Sequence, residues 1–364
     1  MHSVLKTCRT GLQDLAGIAL PCRRLGKPGR QRFHQEGDML KLVLRAVMGC
    51  LVLASGLAQA DGLDPALPGY RPINALQGEI TLVGSNTMSD VAAMWVDRFT
   101  CFYPDVKINI VVKGAENAMP AVMNGEATIG MLSREANPQE IEEFTKKLGH
   151  APKLLVPSLE RIAIFVHKDN PLNEVTLAQL DAIFSQTLKR GEVKEFKNWG
   201  DLGVQGTLAA QPISLQGRSD TTGSQVFLKT LILQGGEFRS GLTKNADNMK
   251  LVKAIASDPA AIGFAGETYQ YPGTKTLSIS WKAGEPAYAI DSEADAHGTY
   301  PLVRPLQFVV NQAPDKALGD VEREFLRYVF SAMGQEDVVK AGFHPISARP
   351  AHTALGAVGL DKLN

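Results

Sequence analysis

The sequence predicts an α/β protein of two lobes with a cleft between them. Three observations predict it. Strand-like and helix-like segments alternate from residue 79 to the C-terminal region. The stretch after the leader, residues 61–364, is large for one such domain. Several strand-to-helix turns are rich in Gly, Ser and Thr, and open α/β sheets hold ligands just outside the carboxyl ends of their strands.

Short Val/Ile-rich runs predict strands over 79–84, 106–113, 128–133, 161–167, 213–217, 261–265, 276–281 and 305–311. Helical spacing predicts helices over 88–102, 118–124, 138–148, 176–185, 223–234, 247–257, 317–333 and 335–341. Asn137-Pro138 followed by Glu140 is a helix start, and Thr176 with Gln179 three positions later fits a capping box. Asp258-Pro259 ends the helix before the next strand. Residues 61–78, rich in Gly, Pro and Leu, read as a surface lead-in. The expected division is lobe one from residues 79–162 and 269–364, and lobe two from 163–268.

Residues 1–60 read as a leader. Residues 39–60 place Lys41 and Arg45 before an apolar run from Ala46 to Leu57 and end in Ala58-Gln59-Ala60. That is the three-part pattern of a secretory signal peptide, with cleavage after Ala60. The apolar run is too short to span a bilayer comfortably. Residues 1–38 are basic, lack periodicity and read as an extension upstream of a start at Met39.

The whole chain carries 38 Lys/Arg and 38 Asp/Glu; the first 60 residues hold 9 and 3 of them, leaving 29 and 35, a net of −6. An acidic mature protein is a poor nucleic-acid or anionic-membrane binder. Only Cys101 of the four cysteines lies beyond residue 60, so no disulfide framework is expected, and its apolar helical setting reads as core. The sequence has no Gly-x-Ser-x-Gly elbow and no Gly-x-x-x-x-Gly-Lys loop. His150, His167, His297, His344 and His352 show no paired metal spacing. No catalytic residue, metal or cofactor is therefore expected.

Three turns stand out. Gly84-Ser85-Asn86-Thr87 links a strand to helix 88–102. Gly130-Met131-Leu132-Ser133-Arg134 leaves strand 128–133. Gly217-Arg218-Ser219-Asp220-Thr221-Thr222-Gly223-Ser224 precedes helix 223–234. Helix N-termini present unpaired N–H groups and partial positive charge, hydroxyls add donors, and glycine lets backbone approach closely. Arg134 and Arg218 supply forked donors that match a tetrahedral oxyanion.

On these residues, 79–348 resemble the periplasmic phosphate-binding proteins of Pst ABC transporters, within the type II periplasmic-binding-protein fold. Arg218-x-x-x-Thr222-Gly223-Ser224 is similar to that family's Arg-x-x-x-Ser-Gly-Thr phosphate loop, with the two hydroxyl residues exchanged. The first turn resembles its Gly-x-x-Thr turn, and Ser133-Arg134 a Ser-Arg variant of one branch. Phe196-Lys197-Asn198-Trp199, Ala261-Ile262-Gly263-Phe264, Tyr300-Pro301-Leu302 with Arg304-Pro305-Leu306, and Gly342-Phe343-His344-Pro345 resemble framework motifs.

The resemblance implies a two-lobed protein with a hinge and central cleft, periplasmic and monomeric. It implies capture of inorganic phosphate or a related oxyanion for an ABC permease of the inner membrane. The implied ligand residues are Ser85, Asn86, Thr87, Ser133, Arg134, Arg218, Thr222, Gly223 and Ser224. Two departures bear on the ligand. Ala115 stands where the family's second loop donates a serine, with Glu116 beside it. Ser133 stands where many members carry an aspartate that accepts the proton of monohydrogen phosphate. Glu116 is the candidate replacement for that acceptor. A binding lobe serving as an extracellular sensor or adhesion module is the alternative reading.

Overall fold

A computed structural model describes residues 63–290 and 299–360. The expected signal peptide and cleavage point lie outside the described residues. The strands are β1 (Gly78–Gly84), β2 (Val106–Val112), β3 (Ile129–Leu132), β4 (Lys153–His167), β5 (Glu174–Thr176), β6 (Ser214–Gly217), β7 (Thr243–Lys244), β8 (Ala261–Gly266), β9 (Thr274–Thr276), β10 (Ser278–Ser280) and β11 (Val303–Val310). The helices are α1 (Ser89–Phe102), α2 (Ala118–Met123), α3 (Pro138–Leu148), α4 (Leu177–Phe184), α5 (Gly223–Leu231), α6 (Asn248–Ser257), α7 (Asp320–Val329), α8 (Ala332–Lys340) and α9 (Ala348–Ala357).

The main sheet runs β2-β1-β3-β11-β4-β8-β6-β7, with β9 paired to β4. β1 lies parallel to β2 and β3, and β6 parallel to β8 and β7; β11 and β4 run antiparallel to their neighbours. The parallel segments are reached through helices, as parallel pairing requires. β4 is the long member. Its first half pairs with β11 from Lys153 to Arg161, and its second half with β8 from Ile162 to Val166.

The apolar side chains sort onto either side of that junction. One core gathers Leu82, Trp95, Phe99, Leu155, Phe308, Phe325 and Tyr328. A second gathers Ile164, Phe184, Trp199, Leu228, Ile255 and Phe264, and a smaller cluster against β1, β3 and β11 gathers Val83, Met119, Leu132, Phe144 and Val309. Each buried indole has a carbonyl partner: Trp95 Nε1 donates to Gly334 O at 2.8 Å and Trp199 Nε1 to Ala260 O at 3.0 Å, as buried donors require. The chain passes from the first core to the second near Leu159–Ile162 and returns near Leu302–Leu306.

The division differs from the expected one on the return side. Leu277, Ile279, Ile290, Tyr300 and Leu302 pack in the second core, whereas the expected division puts residues 269–364 in lobe one. The reason is pairing: β9 joins β4 beside β8, and β10 joins β5. Cys101, expected in the core, lies on the exposed face of α1. Both anticipated capping boxes are present, Asn137 with Glu140 and Thr176 with Gln179. Among the described residues no helix is long and apolar enough to cross a membrane.

Candidate functional site

The carboxyl ends of β1, β3 and β6 and the turn after β2 open onto one cleft of about 550 Å³. Ser85, Asn86, Thr87, Glu116 and Ser133 line it from one side, and Arg218, Thr222, Gly223 and Ser224 from the other.

β1 ends where it touches β3. Gly84 has φ +145°, and a Cβ there would lie 2.2 Å from Met131 O. Only glycine admits that approach. Ser85 N donates to Met131 O at 2.9 Å, and Ser85 Oγ accepts from Thr87 N at 3.1 Å. Ser85 is buried, Thr87 half-buried and Asn86 exposed. The turn after β2 is drawn to the same point, since Gly84 O accepts from the N–H groups of Lys113 and Gly114 at 3.1 and 3.0 Å. Gly114, at φ +97°, then lets the chain turn under the Glu116 carboxylate, whose oxygens lie 2.6 and 2.7 Å from where a Cβ on Gly114 would sit. Glu116 is exposed and Ala115 buried.

On the opposite side, Arg218 is held by neutral acceptors. Nε donates to Asn245 O at 3.1 Å, Nη1 to Asn248 Oδ1 at 2.5 Å and Nη2 to Ala246 O at 3.0 Å. Burial lowers its pKa, and the nearby Asp247 opposes that shift. It lines the cleft, and among the described residues no carboxylate is hydrogen-bonded to it. α5 begins beside it. The Thr222 hydroxyl donates back to Ser219 O at 2.8 Å, and no side chain caps the helix. A helix start of this kind attracts anions through its N–H groups and dipole.

Gly223 and Ser133 bring the two sides into contact. A Cβ on Gly223 would lie 2.1 Å from Ser133 Oγ, so a larger residue would force the sides apart. Hydroxyls, a helix start and a guanidinium thus converge on one cleft. That set can hold a tetrahedral oxyanion by charge-assisted hydrogen bonds.

Arg134 is the exception among the anticipated residues. It does not line the cleft. Its Nη1 and Nη2 donate to the two Glu140 oxygens at 2.7 and 2.6 Å, and Nη1 also to Glu135 O at 2.9 Å. Burial pushes the Glu140 carboxyl up, but Arg134 and the Asn137 N–H outweigh it and hold it below the usual range. The arginine secures the start of α3, and of the two anticipated arginines only Arg218 lines the cleft.

Sequence reasoning missed Asp247, Asn248 and Tyr269, which also line the cleft. Asp247 caps α6, accepting from Lys250 N at 2.7 Å. A helix start after Asn245-Ala246-Asp247 was a visible signal. The hydrogen bond that Asn248 accepts from Arg218, 30 positions earlier, was not. Among the described residues no group of three or more His, Cys, Asp or Glu could hold a metal ion.

Comparisons with known proteins bear on the family and the fold. Residues 71–333 match the PBP superfamily domain. The phosphate-binding protein PstS of Pseudomonas aeruginosa is 36% identical over 322 residues, spanning 87% of this chain and 99% of that one. Protein SphX of Synechococcus elongatus is 26% identical over 319 residues, 86% of this chain and 89% of its own. Among solved structures, a putative phosphate ABC transporter substrate-binding protein from Clostridium perfringens aligns with a TM-score of 0.61 at 21% identity, over 74% of this chain and 100% of that one. An ABC-type phosphate transport receptor from Vibrio cholerae aligns with a TM-score of 0.59 at 19% identity, over the same shares. Those two likenesses speak to the fold.

Proposed function

Because this chain belongs to the PBP superfamily, in the family of the phosphate-binding protein PstS, we propose that it captures phosphate in the cleft and delivers it to an ABC-type importer. It is a binding protein, not an enzyme. The observation that carries the reading is the Arg218–α5 junction: a guanidinium bonded to neutral acceptors beside a helix start that no side chain caps. Ser85, Asn86, Thr87 and Ser133 complete the proposed ligand set with Thr222, Gly223 and Ser224. Glu116 is proposed as the acceptor that selects a protonated oxyanion.

In this reading the two cores are lobes, and β4 and β11, which cross between them, are the hinge. An anion touching both lobes stabilises the closed arrangement by its differential contacts. Export to the periplasm, docking on an inner-membrane permease and a monomeric state belong to the same proposal. No observation favours the sensor or adhesion alternative.

Isothermal titration of the mature protein with phosphate, arsenate and sulfate tests the reading. One phosphate per chain is expected. Absence of heat and of any ligand-induced stabilisation with all three anions would overturn it.

A further inference from the structure

Arg304 and Glu160 face each other across β11 and β4, at the point where the chain passes between the cores. Both are buried, with Arg304 only 1% exposed. Glu160 Oε2 accepts from Arg304 Nε at 2.8 Å and Nη2 at 2.6 Å, which occupies one edge of the guanidinium. Nη1, on the other edge, is buried and has no hydrogen-bond partner among the described residues. A buried donor in that condition is uncommon and costly.

Nη1 lies next to the cleft lining. It is 3.0 Å from the point a Cβ on Gly223 would occupy, and Ser133 Oγ is 2.1 Å from the same point. Gly223 and Ser133 both line the cleft. Glu160 sits on the far edge, where its unpartnered Oε1 is 2.1 Å from the Cβ position of Gly266. The ion pair is thus oriented, with its positive end toward the cleft floor and its negative end away from it.

We propose that Arg304 is a buried charge of the oxyanion site, acting from beneath the Ser133–Gly223 contact, with Glu160 setting how much of that charge the ligand feels. The inference rests on the oxyanion-binding reading of the cleft. Arg304 acts through the floor, so it is a positioning residue. Its field is little screened, because water and salt do not reach between the guanidinium and the floor. The same position makes it sensitive to the cleft's geometry: Gly223 starts α5, packed with the second core, whereas Arg304 rises from the hinge strand.

The test is phosphate affinity by calorimetry at pH 8 and low salt for wild type, Arg304→Gln, Arg304→Lys and Glu160→Gln, with folding checked by circular dichroism. An electrostatic role gives effects of opposite sign. Arg304→Gln should bind about tenfold more weakly, Arg304→Lys should recover most of the loss, and Glu160→Gln should bind several-fold more tightly. A merely structural pair would give weaker binding, or no change, in all three. Unchanged affinity in folded Arg304→Gln, or weaker or unchanged affinity in Glu160→Gln, overturns the inference. If Arg304→Gln does not fold, the double variant Glu160→Gln/Arg304→Gln, which leaves no lone buried charge, replaces it. Weaker binding than wild type is then expected, and equal binding overturns the role. Wild type that binds no phosphate overturns the function proposed above and this inference with it. Wild type that binds, with variants unchanged, overturns this inference alone.

Discussion

Arg218 is oriented by Asn248: its Nη1 donates to the Asn248 amide oxygen at 2.5 Å. The acceptor is the first residue of α6, and it is neutral. A carboxylate there would hold the arginine more strongly but would cancel much of its charge toward an incoming anion. An amide aims the guanidinium and leaves that charge available.

Removing the guanidinium should therefore cost affinity. Arg218→Ala should weaken phosphate binding at least tenfold, about 1.4 kcal/mol or more, since a hydrogen bond to a charged group contributes about 1.5–3 kcal/mol. Calorimetry on the folded variant checks it. Asn248→Ala should give a smaller loss, because two backbone carbonyls still hold Nε and Nη2.

Arg134 predicts the reverse. Its forked pair with Glu140 lies at the start of α3, away from the cleft lining. Arg134→Ala should leave phosphate affinity within about twofold and lower stability by about 1–3 kcal/mol, the range for a partly buried charged pair that loses one member. Urea unfolding and titration of the same preparation separate the two effects. A tenfold loss of affinity at unchanged stability would return Arg134 to the site.

Glu322 sets a pH dependence of stability. It is buried in the first turn of α7, and burial pushes its carboxyl up to about 7, against the opposing Gly319 backbone N–H. The folded state then binds more protons than the unfolded chain between about 4.5 and 7. Stability contributed by this group is present at low pH and falls as pH rises through that window. Glu322→Gln should be more stable than wild type at pH 8, by at most about 3 kcal/mol, and equal to it near pH 4. Thermal melts at both pH values decide it, and an equal difference at the two would assign the effect to something other than the charge.

The sequence carried the turns that form the site better than the contacts that join them. Gly84–Thr87 and Arg218–Ser224 were legible as turns because glycine and hydroxyl residues stand between a strand pattern and a helix pattern. Arg134 was misread because its partner, Glu140, was recognised only as a capping residue. Nothing local shows that the same carboxylate takes the arginine six positions earlier. The first half of β4 was missed for a related reason. Pro157, Ser158, Glu160 and Arg161 break the apolar pattern, and what makes a buried Glu160 tolerable is Arg304, 144 positions away. α9 was missed because its Arg349-Pro350 start and small residues give little helical periodicity, although Ala351 and Leu355 seal the first core.

Glu116 is the proposed determinant of selectivity. Glu116 is the carboxylate on the Ser133 side of the cleft, where Ala115 and Ser133 bring none of their own. Monohydrogen phosphate offers one proton; sulfate offers none. A carboxylate facing the ligand accepts that proton from phosphate or arsenate, whereas against sulfate it meets only lone pairs and repels. Wild type should therefore prefer phosphate and arsenate to sulfate. Glu116→Gln replaces the acceptor by an amide that can turn its NH₂ toward sulfate, so the phosphate-to-sulfate affinity ratio should fall by about tenfold or more, mostly through better sulfate binding. Gly114 is already folded beneath this carboxylate, so the substitution keeps the side chain's shape and leaves the turn in place. The measurement is that ratio for both proteins at one fixed pH, by calorimetry. An identical ratio would remove Glu116 from selection, and discrimination would then have to come from the donors around Arg218 and α5.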